Sequence, residues 1–345
     1  MWTLEHRAYR LPFRQTVRTA HGPWAEREGF WLRAERVVDG RRVVGWGEVA
    51  PVAGFRCETL VEAQAALAGL EGRALDLDDA LARTPAGCGC VRAALAAALA
   101  GEAGGGDVKF LPVAGLLPAG PAALAAVESR LEAGFRVFKW KVGVQAAADE
   151  RAILDDLLGR LPAGARLRLD ANGAWDRRTA EGWLARAAER PVEYVEQPVA
   201  AEARGAEDLL RGLAADYPVK IALDESLSGA DDVARWLAAE WRGVWVLKPA
   251  LLGEPAPLLA ALAHAGADVV FGSALETAIG ARAALRLAFA WAARRAEPAA
   301  ARRALGFGVW PLFAEAKADL PQAGAFVRAE DVERTNPEAL WNATS

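Results

Sequence analysis

The sequence predicts an α/β protein in which a parallel (β/α) barrel follows an N-terminal α+β module. Three observations lead to this prediction. Beyond about residue 105, short apolar runs alternate with amphipathic segments, and this alternation repeats about eight times. The apolar runs end in polar residues at regular spacing, and the first 105 residues show neither feature. Repeated strand–helix alternation favours a closed parallel barrel over an open sheet.

The first 105 residues are expected to form an α+β module. Strand-like alternation of apolar and polar residues marks three segments, and the turn Asp39-Gly40 joins the second to the third. Ala-rich helical patterns follow, and a glycine-rich linker ends the module. The strands are expected near 2–11, 27–38 and 41–49, the helices near 58–70 and 90–101, and the linker at 101–107.

The barrel is expected over residues 106–309. Its strands are predicted near 109–116, 136–141, 165–170, 192–196, 219–224, 243–248, 268–273 and, more weakly, 304–308. Its helices are predicted near 121–133, 147–160, 177–189, 205–214, 230–239, 254–265 and 277–294. The tail, 310–345, breaks the alternation, and we expect it to pack back on the first module and complete it.

The composition is that of a globular protein and excludes several classes of partner. Of the 345 residues, 53% are hydrophobic, and 41 basic and 45 acidic side chains leave a net charge of −4. No basic stripe is present, so we expect no binding to nucleic acid or to an anionic membrane. The first residues are charged throughout and lack the apolar core of a signal peptide. We therefore expect a cytoplasmic protein.

Cysteine and histidine usage indicates neither disulfides nor a zinc site. The three cysteines, Cys57, Cys88 and Cys90, are odd in number and form no CxxC pair. A disulfide framework is therefore not expected, and reduced thiols suit the cytoplasm. His6 and His264 are expected to be structural, because the histidines and cysteines show no zinc-binding spacing.

Three acidic residues end three successive apolar strands. Asp170, Glu196 and Asp224 follow one another at intervals of about one strand–helix unit, which places them at the C-terminal mouth of the barrel. Crowded carboxylates repel one another unless a cation lies among them. Oxygen ligands select a hard cation such as Mg²⁺. A helix cap is the alternative for one such residue, but it does not account for three in register.

Three lysines are expected at the same mouth. Lys139 and Lys141 are two residues apart on one strand, so both side chains point into the barrel. Buried ammonium groups need nearby anions, and a neighbouring cation favours the neutral amine that a general base requires. Lys248 ends a strand on about the opposite wall, which the alternative of a lysine-rich edge strand leaves unexplained. The surplus of positive charge suits a small anionic substrate.

These residues and their neighbours resemble the motifs of the enolase superfamily, in its muconate-lactonizing-enzyme branch. The motifs are a KxK pair, the strand end LDAN, the tripeptides EQP and DES, and a lone lysine before proline. They occupy residues 139–141, 169–172, 196–198, 224–226 and 248–249. The likeness extends over nearly the whole chain. It implies an enolase-type, modified TIM barrel with an N-terminal α+β capping domain.

Within that branch the chain resembles the o-succinylbenzoate synthase family. The segments GEVAP at 47–51, GFRCET at 54–59 and GSALE at 272–276 carry this closer resemblance. An ordinary turn that caps a helix at Glu58-Thr59 is an alternative explanation of GFRCET. Residues 306–308 lack the Asp-x-Asp pair with which dipeptide epimerases of the branch hold a substrate ammonium, so that activity is disfavoured.

The resemblance implies a dehydration in menaquinone or phylloquinone biosynthesis. The substrate, 2-succinyl-6-hydroxy-2,4-cyclohexadiene-1-carboxylate, loses water through an enediolate and becomes o-succinylbenzoate. The three carboxylates would bind Mg²⁺, or Mn²⁺ in its place. Lys141 would take the α-proton and return it to the departing hydroxyl on the same face. Lys139 would tune Lys141, and Lys248 would stabilise the intermediate as a cation over the ring.

Residues beside the carboxylates are expected to support them. Asn172 and Glu225 lie next to two of the proposed ligands and would orient them, and Asn172 is also expected to contact the substrate. Arg168 shares the inward face of its strand with Asp170. We expect Arg168 to balance charge one layer below the mouth.

The substrate pocket is expected to include residues of the capping domain. The resemblance places two capping loops, 17–26 and 51–60, over the mouth, with His21 on the first and Phe55 on the second. Ser273 ends the seventh strand and is expected to face the same pocket. An ordinary surface histidine is an equal alternative for His21.

Three other functions remain open from the sequence. An N-succinylamino acid racemase and a muconate cycloisomerase share every carboxylate and lysine named above, so only the capping loops distinguish them. A non-catalytic barrel kept as a binding scaffold is a remote alternative, because all the polar positions are intact. The sequence leaves the oligomeric state undetermined.

Overall fold

An antiparallel sheet with three helices precedes a parallel α/β barrel. The computed structural model describes residues 1–19, 22–100, 107–295, 302–321 and 324–344. The strands of the first sheet are β1 (Trp2–Thr19), β2 (Gly22–Val38), β3 (Arg41–Val49) and β4 (Ala74–Leu75), and their order in the sheet is β3-β2-β1-β4. The helices of this part are α1 (Leu60–Ala68), α2 (Leu77–Arg83) and α3 (Gly89–Leu99).

The strands β1 and β2 form a longer hairpin than the sequence indicated. Their pairing continues to Thr19 and Gly22, with a register shift between Pro12 and Val17. The expectation of a loop at 17–26 was therefore wrong, because backbone pairing with the opposite arm extends the strands beyond the apolar pattern. The turn Asp39-Gly40 is confirmed, and both residues have the positive φ that a tight two-residue hairpin turn requires.

Within the residues that the structure describes, the barrel contains seven parallel strands whose order in the sheet follows their order in the chain. Two isolated parallel bridges, Val113 to Leu305 and Gly272 to Gly306, lie at the eighth position, where a strand at 304–308 was expected. The strands are β6 (Gly115–Leu117), β7 (Val137–Lys141), β8 (Arg166–Asp170), β9 (Val192–Glu196), β10 (Ile221–Leu223), β11 (Val244–Leu247) and β12 (Asp268–Phe271). The predicted strand at 109–116 divides into two pieces, β5 (Phe110–Pro112) outside the barrel sheet and β6 within it.

In the described ranges, seven helices surround these strands, and the C-terminal segment adds short elements. The helices are α4 (Ala122–Glu132), α5 (Ala147–Arg160), α6 (Arg177–Ala187), α7 (Ala206–Asp216), α8 (Ala230–Ala238), α9 (Pro255–His264) and α10 (Ala278–Arg295). The C-terminal elements are β13 (Phe326–Arg328), α11 (Ala329–Arg334) and α12 (Pro337–Trp341). Short 3₁₀ helices lie at Pro249–Leu251, Ala316–Ala318 and Asn342–Thr344.

The C-terminal segment contacts both parts of the protein. Strand β13 pairs antiparallel with β5 (Phe110–Pro112), just before the barrel. Near the chain end, the Trp341 ring lies 4.3 Å from the Arg7 guanidinium and 5.7 Å from the Trp46 ring, both on the first sheet. The proposed domain boundaries at 105 and 310 stay a prediction. No helix in the described ranges is long and apolar enough to cross a membrane.

A buried carboxylate joins the first sheet to the barrel. Glu48, at the end of β3, is 3% exposed and accepts hydrogen bonds from the Tyr9 hydroxyl (2.5 Å) and the Gly280 backbone N–H (2.9 Å). It also accepts from the backbone N–H and the hydroxyl of Thr277, just before α10. A charged acceptor with several donors in a buried site is a strong anchor. Glu48 therefore holds the first sheet against the start of α10.

This anchor predicts a large stability loss on truncation. Replacing Glu48 by alanine leaves at least three buried donors unpaired, so we expect a loss of about 3 kcal/mol or more in the free energy of unfolding. The measurement is urea unfolding followed by circular dichroism. The control is Glu330→Ala, which removes an exposed carboxylate 3.4 Å from Arg334 and is expected to cost less than about 1 kcal/mol. Equal losses in the two variants would contradict the anchoring role.

Candidate active site

Three of the expected site residues lie in one row at the C-terminal ends of neighbouring strands. Lys141 on β7 is the register partner of Asp170 on β8, and Asp170 is the register partner of Glu196 on β9. Asp224 follows the next strand, β10, by one residue. The alternation of apolar and polar residues thus brings the carboxylates to adjacent strand ends, as the sequence indicated.

Lys139 connects two of the carboxylates. Its ammonium lies 2.7 Å from an oxygen of Asp170 and 2.7 Å from an oxygen of Glu196. Burial opposes the charge on Lys139, but the surrounding carboxylates outweigh burial and raise its pKa well above the usual range. Lys139 is therefore held as a cation inside the site.

Lys248 pairs with the third carboxylate. Its ammonium donates a hydrogen bond to Asp224 and lies 4.2 Å from the centre of the Phe55 ring. Lys248 directly follows β11 and precedes the 3₁₀ helix Pro249–Leu251. The loop that carries Phe55 thus reaches the barrel mouth, as expected, and the aromatic face there stabilises a cation.

Lys141 differs from the other two lysines. Within the described parts of the chain its side chain makes no ion pair or hydrogen bond. It is half-buried and stands beside Asp170 in the row of strand ends. Its amine is therefore the one among the three lysines that no carboxylate holds.

The carboxylates carry more negative charge than their lysine partners balance, which is the environment that a metal ion fits. Glu196 is 1% exposed, and its Oε2 has no hydrogen-bond partner among the described residues. Burial and the nearby Asp170 raise the pKa of Glu196 to about 8. A hard divalent cation would remove that penalty, since carboxylate oxygens are the ligands that Mg²⁺ prefers. Asp170, Glu196 and Asp224 are the residues that could hold it.

Asn172 and Glu225 form a second pair beside these carboxylates. The Asn172 amide donates to Glu225 (3.0 Å), and its backbone N–H donates to Asp170 (3.2 Å). Burial and the neighbouring Asp224 raise the pKa of Glu225 to about 7. Asn172 has a positive φ of 44°, a backbone conformation that asparagine tolerates better than most residues. Asn172 and Glu225 thus lie beside the carboxylates, as expected. Contact of Asn172 with a substrate stays a prediction.

Gln197 is a site residue that the sequence analysis missed. Its side chain is fully buried, and its amide oxygen accepts from the backbone N–H groups of Asp224 (3.0 Å) and Ser226 (3.1 Å). Its amide nitrogen donates to the Ser226 hydroxyl and to the Val199 carbonyl. Gln197 therefore fixes the backbone of Asp224. The EQP motif was the available signal, but only its glutamate was interpreted.

Ser273 follows β12 and is engaged by its own loop. Its hydroxyl donates to Glu276 (2.5 Å) and accepts from the Leu275 backbone N–H (2.9 Å). Burial raises the pKa of Glu276 to about 7. Ser273 is 8% exposed at the mouth of the barrel. Its contact with a substrate stays a prediction.

Arg27, on β2, links the capping loop to the loop after β12 and was also missed. Its guanidinium is buried and donates to the carbonyls of Pro51 (2.6 Å), Leu275 (3.1 Å) and Ala274 (3.3 Å), as well as Ala50. The segment from Ala50 and the segment from Ala274 are thereby tied together over the barrel. No local sequence pattern marks this arginine, because the carbonyls through which it joins the two loops are distant in sequence.

Arg168 lies below the carboxylates, as expected. It is fully buried, its Nε donates to Glu193 (2.6 Å), and its guanidinium carbon lies 4.8 Å from the centre of the Tyr194 ring. Arg303 reaches the same Glu193 at 2.5 Å. Glu193 thus balances the charge of Arg168 one layer below the mouth, where the sequence placed this arginine.

Two expectations about the capping domain have different outcomes. His21 lies outside the residues that the structure describes, and its contact with a substrate stays a prediction. In the GFRCET segment, the Thr59 hydroxyl accepts from the Glu62 backbone N–H and caps α1, as the alternative explanation held. Glu58 instead accepts from the Cys90 and Val91 N–H groups at the start of α3. The segment therefore caps α1 through Thr59 and contacts α3 through Glu58, and these two contacts anchor the loop that carries Phe55.

Comparisons with known proteins agree on one family. The family model for enolase C-terminal domain-like proteins matches residues 122–299. The o-succinylbenzoate synthase of Thermosynechococcus vestitus (strain NIES-2133 / IAM M-273 / BP-1) is 39% identical over 317 residues, which are 88% of this chain and 91% of that protein. The o-succinylbenzoate synthase of Yersinia enterocolitica is 33% identical over 291 residues, 81% of this chain and 84% of that protein.

A solved structure gives the same result over the whole length. The crystal structure of o-succinylbenzoate synthase from Thermosynechococcus elongatus BP-1, with Mg in the active site, aligns with a TM-score of 0.82 at 35% identity. The alignment covers 99% of each chain, and so includes the capping sheet as well as the barrel. The chain belongs to the o-succinylbenzoate synthase family of the enolase superfamily.

Proposed function

We propose that the protein is a Mg²⁺-dependent lyase that dehydrates 2-succinyl-6-hydroxy-2,4-cyclohexadiene-1-carboxylate to o-succinylbenzoate. The observation that carries the proposal is the row Lys141, Asp170 and Glu196, in which an amine that no carboxylate holds stands beside buried carboxylates. The relatives named o-succinylbenzoate synthase support the same reaction. Its product places the enzyme in menaquinone or phylloquinone biosynthesis.

The metal would be held by Asp170, Glu196 and Asp224. When bound, Mg²⁺, or Mn²⁺ in its place, supplies positive charge that stabilises a carboxylate-bearing carbon acid after it loses its proton. Gln197 fixes the Asp224 backbone, and Asn172 orients Glu225 beside the ligands. These contacts would keep the carboxylates in place during turnover.

Lys141 would carry both proton transfers. Its amine takes the proton from the carbon next to the substrate carboxylate, and the electron pair left behind expels the hydroxyl from the neighbouring ring carbon. The same ammonium then gives its proton to the departing hydroxyl, so water leaves and the ring becomes aromatic. Lys139, held as a cation by Asp170 and Glu196, would favour the neutral form of Lys141.

Lys248 and the capping loop would hold the substrate from the other side. The Lys248 ammonium supplies positive charge toward the anionic ring, and Phe55 keeps that ammonium at the mouth. Phe55, Ser273, Asn172 and His21 are the proposed substrate-contacting residues. We also propose that the enzyme works in the cytoplasm, since its three cysteines are free thiols.

The first prediction concerns the metal. Removal of divalent ions with EDTA is expected to abolish turnover, and added Mg²⁺ or Mn²⁺ to restore it. Asp224→Asn is expected to lower kcat/KM on the order of 10³-fold and to weaken Mg²⁺ binding in calorimetry, because it removes a charged ligand. Asp208→Asn, an exposed residue on α7, is the control and is expected to change neither. Full turnover by metal-free protein would refute the proposal.

The second prediction separates the two lysines at the mouth. Lys141→Ala is expected to lower kcat by about 10⁴-fold or more, because one group performs both proton transfers. Lys248→Arg keeps the positive charge and is expected to retain partial activity, since a guanidinium differs in shape from an ammonium. Lys317→Ala, an exposed control, is expected to be unaffected.

Isotope exchange decides which lysine is the base. In D₂O, exchange of the substrate α-proton is expected to persist in Lys248→Ala and to disappear in Lys141→Ala. The opposite pattern would show that the base has been assigned to the wrong side of the substrate. Proton NMR of recovered substrate measures the exchange.

The third prediction tests the substrate class. The protein is expected to dehydrate the cyclohexadiene carboxylate with a kcat/KM far above that for racemisation of N-succinylamino acids or for muconate cycloisomerisation. The reason is the combination of GFRCET and GSALE at the mouth with Gly306-Phe-Gly308 in place of an Asp-x-Asp pair. If racemisation or cycloisomerisation proved faster, that activity would replace the proposed function.

A further inference from the structure

All three cysteines of the chain lie where the loop before α1 meets the start of α3. Cys57 lies just before α1, and Cys88 and Cys90 lie at the start of α3. The sulfur atoms of Cys57 and Cys90 and a carboxylate oxygen of Glu58 are all within 4.8 Å of one another. The chain shows no zinc-binding spacing, because 31 residues lie between Glu58 and Cys90 and only the fold brings these two segments together.

The donor set determines which ion would fit. Two sulfur ligands and one carboxylate oxygen are soft enough to select Zn²⁺ or Cd²⁺ over Mg²⁺, which prefers oxygen alone. We propose that Cys57, Glu58 and Cys90 form a second cation site that takes a thiophilic divalent ion of the Zn²⁺ class. Binding would convert both thiols to thiolates and release two protons, so three anionic ligands would surround the dication.

The ligands are already fixed by backbone contacts. Cys90 is fully buried, and Glu58 is held by the N–H groups of Cys90 (3.1 Å) and Val91 (2.8 Å). The Val52 backbone N–H donates to the Cys57 sulfur at 3.3 Å, a contact that also suits a thiolate. Such outer contacts orient metal ligands and strengthen binding. The site would therefore need little rearrangement.

A pocket gives the site an entrance. Cys57 is partly exposed and lines a surface pocket of about 570 Å³ together with Glu58 and Cys88. Arg56, Arg83 and Glu62 also line this pocket, and the Arg56 guanidinium is paired with Asp232 at 2.8 Å. With three protein ligands, the fourth position of a tetrahedral ion would face this pocket and be open to water.

The site lies between two segments that flank Lys248. Phe55, two residues before Cys57, contacts the Lys248 ammonium. Gly89, next to Cys90, packs so closely on the 3₁₀ helix after Lys248 that an added Cβ would lie 2.7 Å from the Leu251 carbonyl oxygen. An ion bound by Cys57 and Cys90 would therefore fasten the Phe55 loop to α3. The proposal concerns binding and is independent of the proposed reaction.

The test is a Cd²⁺ titration of the full-length, reduced protein in saturating Mg²⁺. Thiolate ligands give an ultraviolet sulfur-to-Cd²⁺ charge-transfer band that the oxygen ligands of the barrel mouth cannot give. We expect one Cd²⁺ per chain, displacement of the band by Zn²⁺, and a melting temperature that rises with ion concentration. Absence of the band at saturating Cd²⁺ would overturn the proposal.

Variants identify the ligands. Cys57→Ser is expected to weaken Cd²⁺ binding at least about 100-fold, because it removes one of two thiolates, and Cys90→Ser to do the same. Cys88→Ser, the third thiol in the same corner, is the matched control and is expected to keep the band and the affinity. If buried Cys90 does not tolerate serine, partly exposed Cys57 carries the test, with circular dichroism and Mg²⁺ binding as checks on folding. Equal affinity in Cys57→Ser and the parent would refute the assignment.

Discussion

The concentration of negative charge at the mouth of the barrel governs the rest of the site. Asp170, Glu196 and Asp224 end adjacent strands, where burial makes each charge costly. Lys139 and Lys248 compensate part of that negative charge through direct ion pairs. Burial and the nearby Asp170 nevertheless raise the pKa of Glu196 to about 8. A dication among the carboxylates would oppose that rise.

The same charge balance separates the lysines by role. A lysine that is held by two carboxylates stays protonated, as the raised pKa of Lys139 indicates, and is unsuited to accept a proton. Lys141 lies beside that fixed cation and has no carboxylate partner among the described residues. One strand therefore provides a permanent charge and a separate amine, two residues apart. This division of labour depends on the alternation of side chains along a strand whose neighbours supply the anions.

The capping sheet belongs to the site because buried polar contacts hold it there. Glu48 binds the start of α10, and Arg27 binds the carbonyls of two loops that meet over the mouth. The loop that follows Ala50 carries Phe55 to Lys248 and ends in Glu58, which is fixed on α3. The position of the Phe55 loop over the mouth thus depends on a small number of long-range hydrogen bonds. A buried charge that lost its partners would cost several kcal/mol, so these contacts are strongly constrained.

The barrel, the three carboxylates and the lysine pair could be predicted from residue order alone, because strand periodicity fixes which residues share a face and a height. The hairpin turn at Asp39-Gly40 could be predicted as well, since few residues adopt its backbone conformation. The roles of Arg27, Glu48 and Gln197 became visible only in the folded chain, because most of their partners, main-chain groups and hydroxyls alike, are distant in sequence and leave no local pattern. The same holds for the short distance between the sulfur atoms of Cys57 and Cys90. The packing of a loop against α3 sets this distance, and spacing along the chain does not.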